Sequence, residues 1–354
     1  MDVARTVFGH LHHQTVWQYT LTNDNGLKLK VMNYGATLTD IDMPDRDGKA
    51  AHIVIGSDRF QDYLEQDAYF GATVGRVAGR ITAGRFSIDG IDYELPRNDG
   101  NNTNHGGPAS FESQIWQSQP FETADRVGVR FELLSPDGAN GFPGNLRASV
   151  SYSLNQANQW RLHYEATTDR PTLFNPTNHV YFNLSGNPEQ TVNMHELQLA
   201  SSRYGSINPD GTPTGRLIDV SGTSFDFTAQ AAIEKGLMAD DRQNVLVNGY
   251  DHPFLLDKHG TGPDAVLAEP VSGRRVSMTT TANAVVVYSG NGLSDRIVMA
   301  GHRLRPHGGV TLEAQMMPDA IHHDGFGDVV LRPGKAYAAD TVYRFDHTDE
   351  RPCS

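Results

Sequence analysis

Cysteine, basic charge and long apolar runs are all scarce in this sequence of 354 residues. The one cysteine, Cys353, excludes an internal disulfide and a CxxC metal or redox site. The 29 Lys and Arg residues against 42 Asp and Glu give a formal net charge of −13. This balance argues against nucleic acid or an anionic membrane as the main partner, because phosphate binding needs a basic surface.

Membrane and export signals are missing as well. The most apolar run, Ala284–Tyr288, is far shorter than the ~18 residues of a membrane span. The first residues lack the apolar core of a signal peptide, which predicts a cytoplasmic location. A periplasmic location stays open if a leader was removed.

Helical periodicity is rare, and two-residue alternation takes its place. Alternating apolar residues run through 127–133, 146–154 and 160–166, which places one face of each strand on a core. Residues 85–95 alternate on both sides of Asp89-Gly90 and predict a hairpin. Short helices are predicted only at 57–65, capped by Ser57 or Asp58, and at 228–237.

Short strands, glycine turns and the absence of linkers or repeats together predict the fold class. We expect an all-β protein, a large antiparallel β-sandwich with few short helices, forming a single domain over residues 1–354.

Polar residues that could carry chemistry lie where this strand pattern breaks. A histidine precedes a glycine pair in Asn104-His105-Gly106-Gly107, where the backbone can approach a ligand closely. The others are Asn178-His179, Asp251-His252, Glu313 on a short apolar strand, and Arg76 and Arg80, four residues apart.

Several reaction classes have no motif in the sequence. GxSxG, a P-loop and a cysteine nucleophile are all missing, so acyl transfer and nucleotide hydrolysis are not indicated. The one tight histidine cluster, His322-His323-Asp324, is expected to be a solvated loop rather than a metal site. We therefore predict no metal and no cofactor.

Eight sequence blocks, taken in order, indicate a protein family far more specifically than any single residue does. They read NYGAT at 33–37, GRVAGRI at 75–81, NHGG at 104–107, GFPGNL at 141–146, TNHVYFNL at 177–184, DHPF at 251–254, YSGN at 288–291, and LEAQ at 312–315 with PDA at 318–320. In this order the blocks resemble those of the aldose 1-epimerases, the galactose mutarotase family. The resemblance extends from about residue 6 to about residue 345.

The resemblance implies a galactose mutarotase-like supersandwich with a sugar site on the sheet. It implies that Glu313 is the general base and His179 the general acid. It also implies that His105, Arg80 and Asp251 bind sugar hydroxyls, and Asn104, beside His105, is included with them. The substrate would be a free aldose such as galactose or glucose, bound by a monomer or homodimer.

Acid–base chemistry explains why a carboxylate and a histidine suffice to interconvert the two anomers of a sugar. To exchange the α and β anomers, the C1 hydroxyl must lose a proton while the ring oxygen gains one. A carboxylate is anionic at pH 7, whereas histidine can carry a proton there. The open aldehyde then rotates about C1–C2 and closes on its other face.

The sequence departs from the family pattern at three positions, and two alternatives remain. Gly79 and Val286 stand where the family usually has Asn and often Gln, and His322 replaces a common Asn. Since glycine and valine side chains cannot hydrogen-bond, weaker selection of galactose and activity on pentoses are expected. A hexose-phosphate epimerase of related fold would need a basic cluster near the motifs. A non-catalytic carbohydrate-binding protein would have kept the sandwich fold and lost the catalytic chemistry.

Overall fold

The computed structural model describes residues 1–66, 68–258 and 260–348, so Cys353 lies outside the described residues. Three large antiparallel sheets account for most of the regular structure, which confirms the predicted all-β class. Within the described residues, none of the helices has the length and apolar character that crossing a bilayer requires.

The largest sheet has nine strands and contains the three alternating segments recognised in the sequence. Its strands, in spatial order, are Gln117–Glu122, Arg126–Ser135, Leu146–Asn155, Gln159–Thr168, Tyr337–His347, Arg274–Thr280, Ala265–Ala268, Glu196–Leu199 and Ala231–Ala232.

A six-stranded sheet carries Asp251, His252 and Glu313. In spatial order it contains Tyr181–Phe182, Val310–Gln315, Ala284–Tyr288, Asp251–Leu255, Arg203–Ile207 and Pro213–Asp219. A five-stranded sheet is formed by consecutive strands at the N-terminal end, Asp2–Leu11, Gln14–Thr22, Lys28–Met32, Thr37–Pro44 and Ala50–His52.

Short strand pairs and helical turns complete the described structure. The pairs are Arg85–Ile88 with Ile91–Glu94, Thr103–Asn104 with Arg80–Ile81, Thr177–Asn178 with Thr73–Val74, Thr172–Leu173 with Val330–Leu331, and Val298–Met299 with His302–Arg303. The α-helices are Phe60–Glu65, Glu234–Leu237 and Arg242–Val247, and the 3-10 turns are Thr82–Gly84, Phe111–Ser113, Ala139–Gly141 and Ala320–His322.

One apolar core joins the three large sheets. Buried residues from all of them, including Leu29, Trp160 and Leu312, belong to a single packed cluster. The rings of Phe182 and Tyr343 lie 5.6 Å apart across two sheets, and the Tyr343 hydroxyl donates to the Leu312 carbonyl at 3.0 Å. The six-stranded sheet is therefore supported from behind by the nine-stranded one.

The predicted hairpin is confirmed, whereas the helix limits differ from the prediction. Asp89 and Gly90 have φ of 54° and 78°, as a tight hairpin turn requires. The first helix begins only at Phe60, with Arg59 at its N-cap position and no side-chain cap. Ser57 Oγ accepts the Arg59 N–H at 3.1 Å and donates to Asp62. The second helix begins at Glu234, since residues 231–232 pair as a strand with Glu196–Leu199.

Two further elements differ from the sequence-based expectation. The helix Arg242–Val247, capped by the Asp241 side chain, was not predicted. Within the block at 177–184, strands are confined to Thr177–Asn178 and Tyr181–Phe182. Both elements are too short for an apolar pattern to repeat along them.

Candidate active site

Three neighbouring strands of the six-stranded sheet form the floor of a cleft. Pro253, Val286 and Glu313 lie directly opposite one another across these strands. Residues opposite each other in an antiparallel pair share a face, and so do residues two apart along a strand. Asp251 and Gln315 therefore face the same side as Glu313.

The loops and short strand pairs above this floor bring in the remaining motif residues. Asn104 pairs with Arg80 in a two-stranded ladder, and the His105 amide donates to the Gly79 carbonyl at 3.1 Å. The His179 amide donates to the Ala72 carbonyl at 2.9 Å. These contacts hold the four side chains over the sheet.

All six residues assigned to the site from the sequence line the same cavity, which has a volume of about 270 Å³. They are Arg80, Asn104, His105, His179, Asp251 and Glu313. Small-molecule sites typically enclose roughly 300–1,000 Å³, so this cleft suits a small ligand.

Glu313 and His179 form a deeply buried pair in the cleft. They are 3% and 4% exposed, and Oε1 of Glu313 lies 3.4 Å from Nε2 of His179. The Thr311 hydroxyl donates to the same carboxylate oxygen at 3.0 Å. Nδ1 of His179 is buried without a hydrogen-bond partner among the described residues.

Burial shifts the pKa values of these two groups in opposite directions. Desolvation, with a smaller contribution from Asp251, raises the pKa of Glu313 to about 8. Desolvation lowers the pKa of His179 to about 4. In the protein alone at pH 7, burial therefore favours the neutral forms of both groups, with the single proton of the pair on Glu313. This differs from the expectation of an anionic glutamate and a protonated histidine, which rested on ordinary pKa values.

His105 is fixed as a hydrogen-bond donor toward the cleft. Its Nδ1 accepts the Gly79 N–H at 3.2 Å, so the neutral ring carries its proton on Nε2. Burial, followed by the proximity of His179 and Arg80, lowers the pKa of His105. The ring is held edge-on to His179, with centroids 5.2 Å apart.

Arg80 connects two carboxylates at the other end of the cleft. Its Nε donates to Asp99 at 2.7 Å, and its Nη1 lies 3.5 Å from Asp251. Burial raises the pKa of Asp251, and Arg80 partly opposes that effect. The cleft thus offers a guanidinium and a carboxylate side by side, suited to hydroxyl groups that both donate and accept.

His252 supports Asp251 from beneath the sheet. It is fully buried, its Nδ1 accepts the Asp251 N–H at 3.1 Å, and its ring centroid lies 4.8 Å from that of Phe225. The sequence placed His252 in a motif without a role, and the structure gives it a supporting contact.

Aromatic residues that the sequence analysis missed surround the histidines. The Tyr69 ring lies 4.7 Å from that of His105, and the Tyr181 ring lies 5.0 Å from that of His179. Tyr288 completes this side of the cavity. Tyr181 and Tyr288 lie inside two of the eight sequence blocks. Tyr69 lies on a loop outside all of them, where no sequence motif indicates a role.

Arg76 and His322, both singled out in the sequence, lie outside the cavity lining. Arg76 is buried, and its guanidinium donates to three side-chain or backbone oxygens of Ser135 and Thr172 and to the carbonyls of residues 136, 143 and 144. His322 Nδ1 lies 2.7 Å from Asp319 Oδ1, and His323 Nε2 lies 3.7 Å from the other oxygen. These histidines are held by a buried carboxylate rather than freely solvated.

Metal-binding atom types converge at one place in the described part of the chain. Ligand atoms of His105, His179 and Glu313 lie within 4.8 Å of one another. Two imidazoles and a carboxylate are a donor set that Zn²⁺ accepts. The same three side chains are the acid, the base and a hydroxyl donor in the family-based prediction.

Comparison with known proteins agrees with this geometry. The aldose 1-epimerase family model matches residues 18–344. The chain is 36% identical to the galactose mutarotase of Rattus norvegicus, covering 98% of this chain and 99% of that protein. It is 38% identical to the aldose 1-epimerase of Escherichia coli K12, covering 92% and 94%.

The fold agrees with a solved relative as well. The crystal structure of galactose 1-epimerase from Lactobacillus acidophilus superimposes with a TM-score of 0.88 at 32% identity, covering 98% of this chain and 99% of that one. The chain belongs to the aldose 1-epimerase family.

Proposed function

We propose that this protein interconverts the α and β anomers of free aldoses such as galactose or glucose, with Glu313 as general base and His179 as general acid. The observation that carries the proposal is the 3.4 Å contact between these two buried groups, in a cleft that also holds hydroxyl-binding side chains. Family membership supports the reaction class, an isomerisation at C1.

The proton count of the pair fits this reaction. A carboxylate beside an imidazolium contains the same single proton as a carboxylic acid beside a neutral imidazole. The reactive form is therefore reached by moving one proton between Glu313 and His179, without exchange with solvent. Their separation of 3.4 Å in the protein alone makes them neighbours for such a transfer.

Ring opening returns the pair to the form that burial favours. The Glu313 carboxylate takes the proton of the C1 hydroxyl while the His179 imidazolium gives its proton to the ring oxygen, and the C1–O5 bond breaks. Both side chains are then neutral, which the low-dielectric surroundings stabilise. Rotation about C1–C2 and the reverse transfers close the ring on its other face.

The remaining cleft residues hold the sugar. Arg80 and the Nε2–H of His105 donate to hydroxyl oxygens, Asp251 accepts hydroxyl protons, and Asn104 Oδ1, which is buried without a partner, accepts another. Both proton transfers use groups of the chain itself, so the chemistry calls for no cofactor.

A sugar phosphate is a poorer substrate for this cleft. Among the described residues that line it, Arg80 is the one Lys or Arg, and two carboxylates lie beside it. A phosphate would add negative charge next to Asp99 and Asp251.

The proposal also covers location and partners. The protein would act in the cytoplasm as a monomer or homodimer, without a nucleic acid or membrane partner.

Polarimetry tests the proposed function directly. Freshly dissolved α-D-glucose, α-D-galactose and a pentose are followed with and without protein, after subtraction of spontaneous mutarotation. We expect faster relaxation to the same equilibrium rotation with at least one free sugar. A protein that binds these sugars in calorimetry but accelerates none of them would be a carbohydrate-binding protein instead.

A further inference from the structure

The side chain of Gln315 presents an unsatisfied amide to the cleft. Gln315 is 2% exposed, and neither its Oε1 nor its Nε2 has a hydrogen-bond partner among the described residues. Buried side-chain amides are nearly always paired, and leaving both atoms unpaired is costly. An amide in this state indicates a partner that arrives with a ligand.

The strand geometry directs this amide to the sugar site. Gln315 is two residues beyond Glu313 on the strand Val310–Gln315, so both side chains project from the same face. Residues two apart on a strand are separated by about 6.8 Å. Gln315 therefore faces a part of the sugar remote from the C1 centre on which Glu313 acts.

The neighbours of Gln315 explain why its amide stays unsatisfied. Gly79 and Pro318 line this end of the cleft, and neither has a side chain that can hydrogen-bond. A β-carbon at position 79 would lie 3.7 Å from Gln315 Oε1 and 3.0 Å from Pro318 Cβ. Glycine at position 79 therefore supplies no partner for this amide.

We propose that Gln315 binds one ring hydroxyl of the substrate and is a specificity-determining residue of this site. An amide carries a donor and an acceptor side by side, and a sugar hydroxyl can serve as partner to either. Because the contact exists in both the ground state and the transition state, its loss raises KM more than it lowers kcat. The inference rests on the proposed function, since it takes a sugar as the ligand.

Deoxy sugars combined with Gln315→Met provide the test. The kcat/KM values for the better hexose and for its 2-, 3-, 4- and 6-deoxy analogues are measured in the wild type and the variant. For one analogue, we expect the kcat/KM of the wild type to be about 5- to 150-fold lower than for the parent hexose, because the buried amide is left unpaired. For the same analogue, the kcat/KM of Gln315→Met should fall little. For every other analogue, the loss in kcat/KM relative to the parent hexose should be the same in both proteins.

Controls separate this inference from the proposed function and from misfolding. Gln119→Met, at an exposed strand position, is the matched substitution, and Gln315→Asn is the second variant should the first not fold. Equal losses in wild type and variant for every analogue would overturn the role of Gln315 while leaving mutarotation intact. If the wild type mutarotates no sugar, the same comparison of Kd values by calorimetry decides the role of Gln315 alone.

Discussion

Nε2 of His179 lies 3.4 Å from Oε1 of Glu313, and both side chains are almost completely buried. Burial of this pair favours a single shared proton, because each charged form alone is poorly solvated. The sheet supplies the glutamate and a loop supplies the histidine, so their proximity depends on the whole fold. In the proposed reaction, a sugar bound at the pair meets a proton acceptor and a proton donor at once.

Replacing Glu313 by Gln keeps the size of the side chain and removes the base. We expect mutarotation to fall by roughly 10²–10⁴-fold, the usual range for a positioned acid or base, while sugar binding is retained. Polarimetry and calorimetry measure the two quantities separately. Glu122→Gln, on an exposed strand position, is the matched control. A Glu313→Gln protein with most of its activity would refute the assignment.

The pH profile follows from the proton count of the pair. Below about pH 4, His179 takes a second proton, so Glu313 is left protonated and cannot accept. Above about pH 8, Glu313 loses its proton and the pair has none to donate. We expect kcat/KM to be bell-shaped between these limits, after subtraction of the acid- and base-catalysed background. A kcat/KM that still rises beyond pH 9 would contradict this mechanism.

His179 and His105 are expected to differ in kinetic role although their rings are in contact. His179→Asn removes the proton donor and should mainly lower kcat. His105→Asn removes a hydroxyl contact made in both ground and transition states and should also raise KM. Steady-state kinetics with one sugar distinguishes the two profiles. Identical profiles would argue against this division of roles.

The sequence predicted the long strands well, and it named six residues that the fold brings together in one cavity. Alternation at 146–154 and 160–166 corresponds to the strands Leu146–Asn155 and Gln159–Thr168, because one face of each is buried. The six site residues came from the ordered blocks, and they line one cavity. Their individual roles, and the single domain over residues 1–354, stay predictions.

Other features depend on tertiary contacts that no local pattern encodes. Arg76 and Arg80 have nearly the same sequence surroundings, but Arg76 binds carbonyls inside the protein and Arg80 faces the cleft. Gln315 was part of a recognised block, and only the placement of Gly79 and Pro318 around it reveals an unpaired amide. The raised pKa of Glu313 likewise follows from burial by distant segments.

Removing metal ions should leave the reaction unchanged. The proposed mechanism moves protons only between the sugar, Glu313 and His179, so dialysis against EDTA should not alter kcat/KM. Added Zn²⁺ should inhibit in competition with sugar, since neutral imidazoles and a carboxylate converge within 4.8 Å. Polarimetry, with metal analysis of the same samples, measures both effects. Activity lost with EDTA and restored by a metal ion would contradict the metal-free mechanism.

The last prediction concerns Val286, which lines the cleft directly opposite Glu313. Val286→Gln adds a donor and an acceptor there and should raise kcat/KM for hexoses more than for pentoses, by about 5- to 150-fold if a buried hydroxyl gains its partner. Gly79→Asn is less suitable, because residue 79 has a φ of 73° and a β-carbon would meet Pro318 at 3.0 Å. Gly79→Ala, which adds that carbon without an amide, should therefore lower Tm and leave sugar selection unimproved. A wild-type preference for galactose over every pentose of roughly tenfold or more, about 1.4 kcal/mol, would mean that another group already supplies the missing contact.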